Sequence, residues 1–284
     1  MAPVSTEQHT QESAMTETRD ELIVERRNAV TTITLNRPEV LNSMNKPMAA
    51  ALRAALDQAR RGVADGTVRA VVITGAGRGF CAGADLADPA LRGPDGKASA
   101  DLGDYLRQNY HPVIEQIRAL PAPVITAVNG SAAGAGMSLA LAGDIVLAAR
   151  SASFLQAFSR IGLIPDAGST YFLPRLVGES RARALAILAD KISAEQALQF
   201  GLVWQVFPDA ELQAAAMSMA TRLASMPTRA YGLTKEALNQ SLGNDLAGQL
   251  EVEARLQSAA AKTEDFPEGV AAFLAKRSPV FKGR

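Results

Sequence analysis

Three stretches hold the residues whose types and spacing could do chemistry: "GRGFCAGADL" (77–86), "NGSAAGAGMSL" (129–139) and "GLIPDAGST" (162–170). In the last, Asp166 is a lone carboxylate between the apolar Ile161, Leu163 and Ile164 and the aromatic pair Tyr171 and Phe172. Read locally it is turn chemistry, because Pro165 presets φ, an Asp side chain bonds its own backbone, and an Asp ahead of Ser169-Thr170 can help start a helix. The alternative, a carboxylate that moves a proton, needs support from elsewhere in the chain.

The other two stretches are short of side chains. Each follows a buried strand, and the second runs into a helix whose first N–H groups are unpaired and partly positive. Two exposed backbone N–H groups that converge on one point make an oxyanion hole. Small residues serve tight helix–strand packing equally well, so both readings stay open at this level.

Nucleophile chemistry finds less support. "GMSLA" (136–140) is one residue short of G-x-S-x-G, and the histidine that a hydrolase needs after Ser138 is missing, since His9 and His111 both precede it. Cys81 between Phe80 and Ala82 reads as a small buried hydrophobe, and His111 before Pro112 as structural. Gly75, Gly77 and Gly79 end the strand "VVITG", but the last glycine of G-x-G-x-x-G falls on Phe80, which argues against a dinucleotide site.

The elements that must carry these loops follow from periodicity. "LIVERRNAVTTITLN" alternates as a hairpin around Arg27-Asn28, and "MAAALRAALDQARRGV" has helical spacing. "VRAVVITG", "APVITAVNG" and "DIVLAAR" read as buried strands, separated by the helices "LGDYLRQNYHPVIEQIRAL" and "AAGAGMSLALAG". That alternation predicts crossover units and parallel strands. From about residue 176 helical spacing dominates through five segments ending at "NDLAGQLEVEARLQSAAAK", with "VWQVF" the only strand expected among them.

Composition bounds the partners. The chain of 284 residues is 48% apolar with 29 basic and 29 acidic side chains, which suggests neither a nucleic-acid groove nor an anionic membrane surface as partner. The apolar stretch "SLALAGDIVLAA" is broken by Asp144 and too short to span a bilayer. One cysteine and two histidines supply neither a disulfide nor a Cys/His zinc site, so a reducing, cytoplasmic compartment and no metal are expected. The first twenty residues have no apolar h-region and read as a solvated tail, with Met15 as an alternative start.

Taken with "LNRPEVLNSMN" (35–45), the three loops occur in an order and spacing that resemble the crotonase (enoyl-CoA hydratase/isomerase) superfamily over about residues 22–284. Beyond the tail at 1–20, read as disordered, the resemblance implies an α/β fold with a spiral of ββα units over 21–215 and a helical region at 216–284, assembled as trimers or hexamers. It implies an acyl-CoA thioester as substrate and no separate cofactor. The oxyanion hole would be the N–H groups of Ala84 and Ala135. Coenzyme A would lie along Arg37, Val40, Leu41, Ala82, Asp85 and Leu86, with Lys276 and Phe281 reaching it from the same or a neighbouring subunit.

Hydratases of that family use two glutamates, and those places hold Ser138 and Phe158, which would then line the substrate site. Adding water needs a base for the water and an acid for the carbon, so the loss of both carboxylates points away from hydration. Asp166 is left as the proton shuttle of an isomerase acting on a 3-enoyl or 1,2-epoxyphenylacetyl thioester. A hydratase using Asp166 with water, and a non-catalytic acyl-CoA-binding subunit, are the alternatives.

Overall fold

The computed structural model describes residues 15–18, 21–91 and 101–284. Strands β1 (Met15–Thr18), β2 (Leu22–Arg27) and β3 (Val30–Leu35) are antiparallel neighbours. The β2–β3 hairpin turns through Asn28 and Ala29, both at positive φ, the twist that a two-residue hairpin requires. Helix α1 (Lys46–Asp65) begins where Asn45 Oδ1 accepts the Met48 N–H at 2.8 Å and ends at Gly66 in the left-handed region.

Beyond it the chain repeats a long strand followed by a short one: β4 (Ala70–Gly75) and β5 (Gly79–Cys81), β6 (Val124–Val128) and β7 (Ser131–Ala133), β8 (Ile145–Ala149) and β9 (Ser153–Leu155). Helices α2 (Leu102–Ala119), α3 (Ala135–Ala142) and α4 (Ser169–Val177) follow the successive pairs. The long strands join β3 in a sheet of order β1-β2-β3-β4-β6-β8-β11, closed by β11 (Gln205–Phe207) and parallel from β3 onward. The short ones form a second sheet with β10 (Ile192–Ser193), in the order β10-β9-β7-β5, in which β5, β7 and β9 are parallel. This is the ββα spiral that the resemblance implies.

The remainder is α5 (Glu179–Leu188), β10 (Ile192–Ser193), α6 (Ala194–Phe200), β11 (Gln205–Phe207), α7 (Leu212–Ala224), α8 (Thr228–Ser241), α9 (Leu246–Ala260) and α10 (Asp265–Leu274). Three expectations change here. Met15–Thr18 pair with β2, where a solvated tail was expected, and residues 1–14 and 19–20 lie outside those described. β10 is a second strand beside the one expected in "VWQVF". Residue 216 does not divide the chain, because α7 packs on β4, β6 and β8 and buries Ala216 and Ala220. Among the described residues no helix is long and apolar enough to cross a membrane.

One ion pair fastens α8 to this core. Asp144 Oδ2 accepts the Val124 N–H at 2.8 Å and the Lys235 ammonium at 2.7 Å, and Lys235 Nζ also donates to Ile117 O. Lys235 is buried, so removing its charge takes away the nearest partner of Asp144, which keeps the Arg118 guanidinium at 3.8 Å. Lys235→Met is expected to cost about 2–4 kcal/mol in urea unfolding, near the lower end for a broken buried pair because Asp144 keeps the Val124 N–H.

Candidate functional site

The three parallel strands of the small sheet end side by side, and each releases one of the loops singled out in the sequence. After β5, Gly83 O accepts the Met44 N–H at 2.6 Å and Asp85 N donates to Met44 O at 3.0 Å. This bridge leaves the Ala84 N–H bonded to no described residue. After β7, Gly134 N donates to Leu155 O at 2.8 Å, and α3 begins at Ala135 without a side-chain cap, so the Ala135 N–H is also unpaired. Gly83 joins the two loops: its φ is +100°, and a Cβ there would stand 2.8 Å from Ala133 O and 3.5 Å from Ala135 N.

Beside Ala84 opens a cavity of ≈ 820 Å³. Leu102, Tyr105, Leu106, Tyr110 and His111 of α2 form one wall, Leu86 and Leu91 a second, and Ile161, Leu163, Ile164 and Asp166 a third. Tyr110 donates its hydroxyl to Met44 O at 2.7 Å and Tyr105 donates to Asp88 Oδ2 at 3.0 Å, while the two rings meet edge to face at 5.4 Å. Burial raises both phenols above their ordinary range, so these rings are neutral walls.

Asp166 is the only carboxylate on this lining among the described residues. Its turn is closed by main chain, Ser169 N to Asp166 O at 2.9 Å, with Ala167 and Gly168 at φ 48° and 87°. The carboxylate itself neither caps α4 nor holds the turn: Gly168 is the N-cap, and Asp166 Oδ1 is buried without a hydrogen-bond partner among the described residues. Burial pushes its pKa up to about 6. The turn reading of the lone carboxylate therefore accounts for the backbone and not for the side chain.

The remaining expected residues divide. Leu86 lines the cavity. Arg37 and Asp85 are paired to each other at 2.9 Å, Arg37 Nη1 donates to Ser43 O, and Ala82 N donates to Leu41 O, so these residues make a ridge that brackets Ala84. Val40 stands on that ridge, exposed and outside the cavity lining. Ser138 and Phe158 do not line the cavity. Ser138 is fully buried with its hydroxyl donated to Asp166 O at 2.9 Å, and the Phe158 ring is buried beside Gly134, behind the second loop. Phe281 packs on Gly269 in a separate hollow between α9 and α10, and Lys276 lies on the exposed surface beyond α10, so neither reaches the cavity within one chain.

Cys81 is buried and burial pushes its thiol up to about 12, which suits the packing role and no nucleophile. His111, read as structural, instead faces the cavity. The α2 wall as a whole was missed, because apolar residues at helical spacing look the same whether they face a core or a ligand.

The model of the enoyl-CoA hydratase/isomerase family matches residues 25–284. The chain is 51% identical over 255 residues to 1,2-epoxyphenylacetyl-CoA isomerase of Escherichia coli (strain K12), covering 90% of this chain and 95% of that one. It is 49% identical over 252 residues to a probable enoyl-CoA hydratase of Rhodobacter capsulatus, covering 89% and 94%. The crystal structure of an enoyl-CoA hydratase from Bacillus anthracis superposes with a TM-score of 0.85 at 35% identity, over 93% of this chain and all of that one.

A carboxylate raised to about 6 takes up its proton more readily in the folded than in the unfolded chain, where an aspartate titrates near 3.9. Folding stability is thus undiminished below about pH 4, falls as pH rises from about 4 to 6, and stays reduced above that. Asp166→Asn, neutral throughout, is expected to be more stable than the native chain at pH 8 by on the order of 1–3 kcal/mol and indistinguishable from it at pH 4. Urea unfolding at the two pH values checks this, and a loss of stability at pH 8 would restore the carboxylate to a structural role.

Proposed function

The chain belongs to the enoyl-CoA hydratase/isomerase family, and from that premise we propose that it is an acyl-CoA isomerase in which Asp166 carries the proton. The observation behind this reading is a single carboxylate on the cavity wall, half-buried, with Oδ1 buried and bonded to no described residue, where its affinity for a proton lies near neutrality. A shuttle base needs that condition, because it must both take a proton and give it back.

The thioester carbonyl oxygen sits between the N–H groups of Ala84 and Ala135, which are unpaired and so need no reorganisation to receive negative charge. Asp166 removes a proton from C2, and the C–H electron pair moves into the carbonyl to give a dienolate held by the two N–H groups. The protonated Asp166 then returns the proton at C4, and the double bond ends between C2 and C3. Nothing is added or lost, and every step runs through the chain's own groups. The same enolate chemistry suits a 1,2-epoxyphenylacetyl thioester, the substrate class in the name of the relative from E. coli. The apolar and aromatic walls suit either acyl group.

One observation favours the hydratase alternative: His111 shares the cavity with Asp166 and supplies a second acid–base group. The same reading includes a cytoplasmic trimer or dimer of trimers, supported by the exposed Leu238, Leu242, Leu246 and Leu250 of the α8–α9 region and by the distance of Lys276 and Phe281 from the cavity of their own chain. A monomer by light scattering would contradict that assembly.

Assays on 2-enoyl, 3-enoyl and 1,2-epoxyphenylacetyl thioesters decide between the reactions, with turnover expected on the latter two and dominant hydration of the first contradicting the proposal. Asp166→Asn is expected to lower kcat by about 10²- to 10⁴-fold with substrate affinity retained. Ala84→Pro, which deletes one donor, is expected to cost about 10²- to 10³-fold. Circular dichroism on that variant separates a lost donor from a distorted loop.

A further inference from the structure

Behind Asp166 lies a chain of buried polar side chains that the proposed reaction does not use. Ser138 on α3 donates its hydroxyl to Asp166 O at 2.9 Å, Ser169 Oγ at the start of α4 lies 2.7 Å from Ser138 Oγ, and Gln156, just past β9, donates Nε2 to Ser169 Oγ at 2.9 Å. Ser138 and Ser169 are 0% exposed and Gln156 is 1% exposed. With the single Ser138 hydroxyl proton given to Asp166 O, the bond between the two serines takes its proton from Ser169, which accepts from Gln156 Nε2, while Gln156 Oε1 is buried without a partner among the described residues. Polar groups this deep are costly unless they are bonded, and apolar side chains of the same size would fill the space more cheaply. All three converge on one peptide unit.

We infer that Ser138, Ser169 and Gln156 are positioning residues that lock the main chain of Asp166, so that its carboxylate enters the cavity at a fixed angle with no donor in reach. The inference rests on the reading of Asp166 as the base. The turn needs such a lock, because Ala167 is a non-glycine residue at φ 48° and stays there only if its surroundings hold it. The lock acts on orientation more than on folding. Asp166 O also accepts the Ser169 N–H at 2.9 Å, so loss of the Ser138 hydroxyl does not orphan the carbonyl. Ser138 lies on the helix that follows β7, and Gln156 and Ser169 follow β9, the next strand over, so the network ties Asp166 to the sheet that also presents Ala84 and Ala135.

The groups around the carboxylate define what a pH profile reports. On α2 these are His111, Tyr105 and Tyr110, the tyrosines held neutral by burial. On the 84–91 wall Asp85 is paired with Arg37, and Asp88 accepts from Tyr105 and Lys46 N. On the turn at Ala157–Ile161 Arg160 donates to Ala189 O, on α4 Arg175 lies over the Tyr171 ring, and α3 brings no titratable group. His111→Gln, run as a control, separates the imidazole from the carboxylate in the profile.

The test is the pH dependence of kcat for isomerisation by the full-length Ser138→Ala protein. A loosened turn admits water to the carboxylate, so kcat is expected to fall about 10- to 100-fold, with KM within about twofold of the native value. The acid limb is expected to move from near 6 toward the ordinary aspartate range of about 4. A role confined to packing would lower the melting temperature and leave the limb in place. Gln156→Met, which removes the far donor with a side chain of equal length, is expected to move the limb the same way by a smaller amount, and it decides the matter if Ser138→Ala does not fold. A folded variant with native kcat and an unmoved limb overturns the positioning role while an inactive Asp166→Asn keeps the base. An active Asp166→Asn removes the base and this inference together.

Discussion

The site depends on how closely α3 lies against the small sheet. A side chain at Gly136 would collide with the carbonyl oxygen of Cys81, so α3 lies against β5 as near as backbone allows. That contact sets the N-terminus of α3 beside the loop after β5, where Gly83 fits between Ala133 O and Ala135 N. It also points Ser138, one turn further on, at the peptide of Asp166. The sequence left two readings of these small residues open, tight packing or exposed N–H groups. They are one arrangement: the absence of side chains permits the approach, and the approach sets Ala135 N beside Gly83, the residue before Ala84.

The larger elements were legible because they repeat a period. β4, β6 and β8 are buried on both faces and read as apolar runs, and α1, α2 and α7 carry apolar stripes. The small sheet was not legible from periodicity. Its strands are three residues long, "GFC", "SAA" and "SFL", and two residues in β10, too short for alternation to register. Only the family resemblance implied them, and they are the elements that carry the site.

Within the site, Asp166 and the two alanine loops could be singled out because a lone charge and a run of glycines are conspicuous in a sequence. The cavity wall could not, because Tyr105, Leu106 and Tyr110 follow the same helical spacing that α2 uses to face the core at Val113 and Ile117. Ser138 was placed in contact with substrate because relatives keep a catalytic side chain there. A hydroxyl is much shorter than a glutamate, and the space above it is filled by the Asp166 turn, so it meets that peptide instead of the cavity.

The partners of Asp166 show what the surrounding structure supplies and what it withholds. Hydrogen bonds to a carboxylate favour its charged form and lower its pKa, whereas desolvation alone raises it. Here the Ser169 N–H and the Ser138 hydroxyl are both donated to the Asp166 carbonyl oxygen, and Oδ1 receives no hydrogen bond from the described residues. The residue is therefore held firmly by its main chain while its side chain stays undersolvated. Moving one donor from the carbonyl to the carboxylate would stabilise the fold at neutral pH and make a weaker base. A protein under pressure for stability alone would be expected to make that exchange. That the polar atoms here are arranged the other way, at a cost to folding, is the strongest physical reason to regard this carboxylate as a working group rather than a turn residue.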